Sequence, residues 1–480
     1  MVRTRIAPSP TGSDIHIGNI ATALKNWAWA KKNHGKFIIR IEDTDQTRLV
    51  AGSEKKILET LERIGLKADE SPLVGGPHSP YRQSERLDIY KKYAEELVSK
   101  RKAYYCVCTP TRLTKMREEM QLKKQMSRYD RHCLINQEEV IKQIKENKTS
   151  FVIRLKIPDE KIELEDLIRG KITFQAKDID DQVLLKSDGF PTYHLGVVVD
   201  DYLMEITHII RGEEWLPSTP KHVILYKSFN WPLPIFVHLP LLRNPDKSKL
   251  SKRKNPVWAS YYLDQGIFPE VIVNYLALMG WSHPEGKDIF SLEEYLKVFD
   301  IKDIQTSAPV FDPVKLDWMN GEYIRQKSIR QLADQILEFY KKQNINLDEK
   351  VVEKTIPLIK ERIKKLSDYL PLCKFVFELP TVYEVDLSTK KDLLKKTLEK
   401  LDQLVDWSAI KIGEKMMEVV KENTYKTGEY FMTMRVAITG KRISPPLNES
   451  MEILGKKECL KRVKMKINSR FPASGDRSLL

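Results

Sequence analysis

The chain has 480 residues, 41% of them hydrophobic, and 81 Lys and Arg against 67 Asp and Glu give a formal net charge of +14. That length predicts several domains, with apolar content ample for their cores. No uninterrupted apolar run approaches the roughly twenty residues of a membrane-crossing helix, and residues 1–20 lack the basic-then-apolar order of a secretory leader, so a soluble, cytoplasmic protein with no membrane partner is expected.

Residues 1 to about 100 read as alternating strands and helices: a strand over 2–6, a helix from Gly18 to about 33, a strand over 36–41, and helices near 53–64 and 84–100. Such switching argues for a parallel α/β sheet, with ligands at the carboxyl ends of the strands, where Arg5 and Glu42 fall. Between the first strand and helix, residues 5–12 (RIAPSPTG) form a proline-stiffened turn that leads to His16, Ile17, Gly18 and Asn19. A helix mouth presents unpaired N–H groups and a partial positive charge, a natural seat for phosphate.

From Ala103 to about Asp181 the pattern breaks into a charged helical stretch over 111–126, the segment YDRHC at 129–133, and β-like runs such as 151–155, which together read as an insertion between two halves of a nucleotide fold. Five cysteines, three of them at 106, 108 and 133, suit a reducing compartment better than a disulfide framework. Three thiols in one insert suit zinc at tetrahedral geometry, the alternative being three reduced thiols with no metal. Sheet elements resume at 183–185 and 206–210, followed by a cationic loop with Lys249, Ser251 and Lys252. A mostly helical connector comes next, with a capping box at Ser291 and Glu294.

Beyond Asn320 the chain is lysine-rich and helical in period, with breaks at Pro371, Pro380 and Pro445-Pro446. Residues 321–480 hold 32 Lys and Arg against 23 Asp and Glu, so nine of the net positive charges sit in the last third. That surplus suits a polyanionic partner, although lysine-rich helices are also ordinary solvated faces. The motifs, rather than the charge, decide between these.

The histidine at the helix mouth and the lysine-serine-lysine loop together resemble the two signatures of class I aminoacyl-tRNA synthetases. The segments 3–12, 37–45 (FIIRIEDTD), 75–77 with 81–84 (YRQS), 186–189 with 191–194 (PTYH), and 241–246 (LLRNPD) are similar to the glutamyl-tRNA synthetase family, in that family's order. The resemblance covers nearly the whole chain and is strongest over 1–325. It implies a multidomain α/β plus α fold: a Rossmann-like catalytic domain in two halves (1–102 and 183–255), an inserted acceptor-stem-binding domain (103–182), a helical connector (256–320) and an all-helical anticodon-binding region (321–480). It also implies ATP-dependent ligation of L-glutamate to tRNA(Glu) by a monomer, through a glutamyl-adenylate, with Mg2+ accompanying the nucleotide. Whether tRNA(Gln) is charged as well stays open.

Glutamate carries two carboxylates and an ammonium, so a selective site needs two cationic anchors and an acidic or polar group, and the planar fork of arginine suits the anchors. By resemblance Arg5 and Arg211 are those anchors, Ser9 assists, Glu42 meets the ammonium and Tyr193 lines the pocket. His16, Gly18 and Asn19, with Lys249, Ser251 and Lys252, would hold ATP and its developing charge. Trp215 would neighbour the acceptor nucleotide, and Arg362 and Arg435 would contact tRNA further along. In the thiol cluster Tyr129 is the preferred fourth zinc ligand and His132 the second choice. Three departures stand out: Val197 where the family often carries asparagine, which removes a polar contact or leaves it to water, Asn19 at the second signature histidine, and Leu250 inside the lysine loop.

The rival readings are a glutaminyl-tRNA synthetase, a short glutamyl-queuosine enzyme, a small-molecule nucleotidyltransferase and a catalytically dead tRNA-binding paralogue. A long helical C-terminal region counts against the first two, and its basic surplus against the third. Intact His16, Lys252, Arg5 and Arg211 count against the last.

Overall fold

The computed structural model describes residues 1–248, 250 and 256–468, so the calls on Lys249, Ser251 and Lys252 lie outside the described residues. Two compact units divide the chain, one of Met1–Leu263 with Phe268–Pro313, the other of Asp264–Ile267 with Val314–Leu480.

In the first unit, β1 (Arg3–Ile6), α1 (Ile17–Lys32) and β2 (Lys36–Ile39) form the expected parallel pair with its crossover helix. The chain continues through β3 (Ala103–Cys106), β4 (Val152–Leu155), β5 (Ile162–Asp166), β6 (Gly170–Phe174), β7 (Val183–Leu185), β8 (His208–Gly212) and β9 (Ile235–Leu239). β8 and β9 are parallel and nearly all buried, as central strands covered on both faces must be. The Thr207 N–H donates to Arg3 O at 3.0 Å and the Arg3 N–H to Thr207 Oγ1 at 2.9 Å, which seats β1 beside β8. The strands therefore run β2, β1, β8, β9, β5, β6.

β5 and β6 fall inside the expected insert by sequence, yet Asp166 pairs with Phe236 and joins them to this sheet. The other insert strands, β3 and β4, form an antiparallel sheet with β7, which was expected to resume the nucleotide fold and instead pairs with β4; the helices His132–Ile135 and Gln137–Asn147 lie beside β3, and an outlying helix, Pro110–Leu122, buries none of its residues. In the connector, Ser291 Oγ accepts from the Glu294 N–H at 3.1 Å. The Glu294 carboxylate accepts from Lys287 Nζ at 2.7 Å, so the serine half of the expected capping box is what forms there. A complete box caps Ile329–Lys341, between Ser328 and Gln331.

The second unit is helical throughout its described residues, with a core of Leu394, Leu401, Met416, Tyr430 and Met434 among others. Pro371 does not break a helix as expected; it sits in the first turn of Tyr369–Phe377, where its missing N–H has no intrahelical role. No helix among the described residues is long and apolar enough to cross a membrane.

Candidate active site

The mouth of α1 is where sequence and structure first part. His16 caps the helix in an extended conformation, and its Nδ1 accepts from the Gly18 N–H at 3.0 Å. The Ile17 N–H goes to Val257 O at 2.7 Å and the Asn19 N–H to His16 O at 2.8 Å. The N–H groups expected to be unpaired at this mouth are thus already bonded, because the helix caps itself and receives a strand segment from far along the chain. What this mouth can offer an anion is the positive end of the α1 dipole. Accepting through Nδ1 places the proton of the neutral ring on Nε2. Upstream, a Cβ on Gly12 would lie 2.5 Å from the Trp258 ring, so only glycine lets the turn pack there.

A cavity of about 270 Å³ is lined by His16, Gly18 and Lys25 together with Gly212 at the end of β8, Leu239 at the end of β9, and Leu250. A second, of about 220 Å³, shares His16 and Asn19 and reaches Ser9 and Trp258. Ser9 and Asn19 are both exposed.

The amino-acid residues predicted from sequence gather through partners that sequence reasoning missed. Arg5 is buried, and its Nε and Nη2 bond Asp201 Oδ1 and Oδ2 at 3.1 and 2.9 Å. Arg40 reaches the same carboxylate through Nη1 at 2.8 Å and Glu42 through Nη2 at 3.0 Å. Arg5, Asp201, Arg40 and Glu42 therefore form one chain of alternating charge. Burial works against the ionised Asp201, but Arg5 and Arg40 hold it below the usual carboxylate range. Burial pushes the Glu42 carboxyl up, with Arg40 opposing. The neighbouring Asp200 accepts from Arg86, Gln83 and Tyr90, each at 2.8 Å, and so ties this chain to the sheet's support. The acid pair that ends the apolar run VVVDD was the available signal.

Arg211, only 5% exposed, faces the same space. Tyr193 lies within electrostatic reach of Arg211, Glu42 and Arg5. The Tyr193 hydroxyl accepts from Arg211 Nη1 at 3.3 Å, and its ring packs on Trp215 with centroids 4.3 Å apart. Trp215 itself stays 36% exposed. Unlike Arg5, Arg211 has no carboxylate in its bonding shell: its acceptors are His238, His222, Thr219 and Tyr193. Burial accordingly lowers its pKa. Val197 is buried in the apolar cluster with Leu195 and Val199.

In the insert, the sulfurs of Cys106, Cys108 and Cys133 lie within 4.8 Å of one another. The Tyr129 hydroxyl is 3.5 Å from Cys106 Sγ and 3.2 Å from Cys108 Sγ, while His132 is exposed. Hydrogen bonding from Cys133, helped by Tyr129 and Arg154, pulls the Cys106 thiol down to about 4 against its burial. Three thiols, one inclined to the thiolate, and a phenol fit a tetrahedral zinc. In the second unit Arg362 Nη1 and Arg435 Nη1 both donate to Ser444 O, at 2.8 and 3.3 Å, so two predicted tRNA contacts converge on one turn.

A family model described as "tRNA synthetases class I (E and Q), catalytic domain" matches residues 1–318, and one described as "Anticodon binding domain" matches 331–467. A curated glutamate–tRNA ligase of Dehalococcoides mccartyi is 44% identical over 97% of each chain. The chain belongs to the glutamyl-tRNA synthetase family. Another glutamate–tRNA ligase, from Acidothermus cellulolyticus, is 43% identical over 96% of this chain and 95% of its own. Among solved structures, the glutamate tRNA ligase of Elizabethkingia meningosepticum in complex with its amino acid superposes with a TM-score of 0.86 at 36% identity, covering 98% of this chain and 99% of that one. The glutamate–tRNA synthetase of Elizabethkingia anophelis gives 0.85 at 37%, covering 98% of this chain and 100% of that one. As a glutamyl-tRNA synthetase the chain is an enzyme that joins glutamate to tRNA with ATP, and the all-helical second unit agrees with that reading against the glutaminyl alternative.

Proposed function

We propose that the enzyme activates L-glutamate at the Arg5, Glu42, Tyr193 and Arg211 pocket and transfers it to tRNA(Glu). In the first step a glutamate α-carboxylate oxygen attacks the α-phosphorus of ATP, forming glutamyl-adenylate and expelling pyrophosphate. In the second, a hydroxyl of the acceptor adenosine attacks the adenylate carbonyl and AMP leaves. His16, with the α1 dipole, meets the phosphates, and Lys249, Ser251 and Lys252 cover the triphosphate while Mg2+ accompanies it.

The observation that carries this reading is the bare charge of Arg211. Arg5, Arg40, Asp201 and Glu42 balance one another by direct contact, whereas among the described residues Arg211 bonds only neutral groups. Zwitterionic glutamate brings a net charge of −1 and completes the balance. Glutamine, being neutral, leaves the guanidinium buried and unpaired.

Zinc held by Cys106, Cys108, Cys133 and Tyr129 would brace the insert and has no part in the chemistry. We read residues 103–182 as an acceptor-stem insert, 256–320 as the connector and 321–480 as the anticodon-binding region, where Arg362 and Arg435 lie, in a monomeric cytoplasmic enzyme. tRNA(Gln) would use the same amino-acid site, and charging assays with each purified tRNA separate the two substrates.

Arg211→Ala is the test. Losing one side of a buried pair costs about 3–5 kcal/mol, so glutamate kcat/KM should fall by two or more orders of magnitude. Glutamine should suffer much less, and the glutamate-to-glutamine ratio should collapse while the KM for ATP holds. A lost activity with an unchanged ratio removes Arg211 from the specificity pocket.

A further inference from the structure

Arg211 spends its donors on neutral groups in a particular order. Nε donates to His238 Nε2 at 3.1 Å, Nη1 to His222 Nδ1 at 3.1 Å, and Nη2 to Thr219 Oγ1 at 2.8 Å. A guanidinium has no acceptor, so each ring nitrogen that faces it must carry a lone pair. The proton of His222 is therefore on Nε2, where it donates to His194 Nδ1 at 3.2 Å. The proton of His238 is on Nδ1, where it donates to Asp166 Oδ2 at 2.7 Å. Asp166 is fixed in turn by the N–H groups of Ile168, Arg169 and His238. Two relays thus converge on one arginine, His194 to His222 and Asp166 to His238. Both inner histidines are buried, and burial together with Arg211 holds His222 far below the usual histidine range.

We propose that His222 and His238 are specificity-positioning residues: each is locked in one tautomer as a neutral acceptor, aiming the Arg211 fork while leaving its charge for the ligand to balance. This rests on Arg211 being the anchor for the glutamate side chain. The contrast with Arg5 carries the argument. Asp201 holds Arg5 with two hydrogen bonds and also neutralises it. A carboxylate in the place of His222 would orient Arg211 equally well, and charge-assisted bonds are the stronger ones. It would also supply the negative charge that glutamate must otherwise bring, and the pocket would no longer prefer glutamate to glutamine. Neutral imidazoles give the orientation without the neutralisation.

The test separates acceptor from charge with isosteric side chains. Asn and Asp at 222 can each put an oxygen near the position of His222 Nδ1, and they differ by one charge. Aminoacylation kinetics with glutamate and glutamine, at saturating ATP and tRNA, are compared for H222L, H222N and H222D. H222L should raise the KM for glutamate by about tenfold or more with a smaller change in kcat, and H222N should recover most of that loss. H222D should not: its glutamate-to-glutamine ratio of kcat/KM should fall by roughly 10². A second pair, H238Q and H238L, keeps or removes the acceptor facing Arg211 Nε, and only H238L should raise the KM for glutamate. The KM for ATP and the melting temperature report the fold of each variant. Arg211→Ala is measured alongside. If that variant keeps the glutamate preference, the reading of Arg211 fails. If it loses the preference while H222N and H222D discriminate alike and H238L matches H238Q, the anchor stands and the positioning role of the histidines is overturned.

Discussion

Arg5 and Arg211 were legible from motifs, but what makes them different was not. Arg5 shares Asp201 with Arg40, so one carboxylate holds two guanidinium groups in the interior. Asp201→Asn keeps the shape and removes the charge, leaving two buried arginines opposite an amide. Breaking a buried pair in this way costs about 3–5 kcal/mol. The expected result is a melting temperature lowered by roughly 5 °C or more, with a raised KM for glutamate as Arg5 and Glu42 lose their common frame. A variant that melts with the parent would show that Glu42 and Asp200 balance Arg5 and Arg40 without Asp201. The histidines were illegible for a simple reason. Neither His222 nor His238 carries a motif that marks it in the sequence: His238 meets Arg211 through the parallel register of β8 and β9, and His222 reaches it from the helix Thr219–Phe229.

At the scale of elements, α1 was predicted within a residue of its bounds, whereas its mouth was misread because the partner of the Ile17 N–H is Val257, beyond the reach of any local pattern. The other feature that the sequence hid lies along its length. Lys25 Nζ donates to Leu276 O at 3.0 Å and Ala277 O at 2.8 Å, the carbonyl end of the connector helix Pro269–Ala277. Lys32 reaches Phe299 O, just past Leu292–Val298. Two lysines on one helix thus cap two others at their carbonyl ends. Burial pulls the Lys25 ammonium down to about 7 from its ordinary 10.5. Between those values the unfolded chain keeps a proton that the folded one has released, so this group makes stability rise with pH across that window. Lys25→Met should flatten the rise: melting temperatures from pH 7 to about 9.5 should climb less in the variant than in the parent, and parallel curves would assign Lys25 an ordinary pKa. The insert gives a second prediction at this scale. Its thiols were legible as a cluster; they lie against the Tyr129 hydroxyl while His132 is exposed, which favours Tyr129 as the proposed fourth donor. Protein purified without chelator should carry about one zinc per chain, lost in Cys106→Ser and Cys133→Ser, with less than a tenth of an equivalent in the parent refuting the site.

For the whole molecule, charge and burial assign the two substrates to different kinds of contact. The proposed glutamate site rests on the buried Arg5 and Arg211, where salt screens little, while nine of the net positive charges fall in residues 321–480. tRNA affinity should therefore fall steeply with salt, each neutralised phosphate adding about 0.7 to 0.9 to the slope of log K against log salt, whereas the KM for glutamate at saturating tRNA should move by less than about threefold between 50 and 200 mM salt. Arg362 and Arg435 sharpen this. Both donate to Ser444 O, but Arg362 is exposed, whereas Arg435 is half-buried, also bonds Pro445 O at 2.8 Å, and has its pKa lowered by burial and by Arg362. An exposed guanidinium can turn to a phosphate; one that closes a turn works through the fold. Arg362→Gln should thus reduce the salt slope for tRNA by about one with little change in melting temperature, and Arg435→Gln should lower the melting temperature and weaken tRNA binding with the slope kept. Equal slopes in the parent and in Arg362→Gln would move the tRNA contact away from this turn.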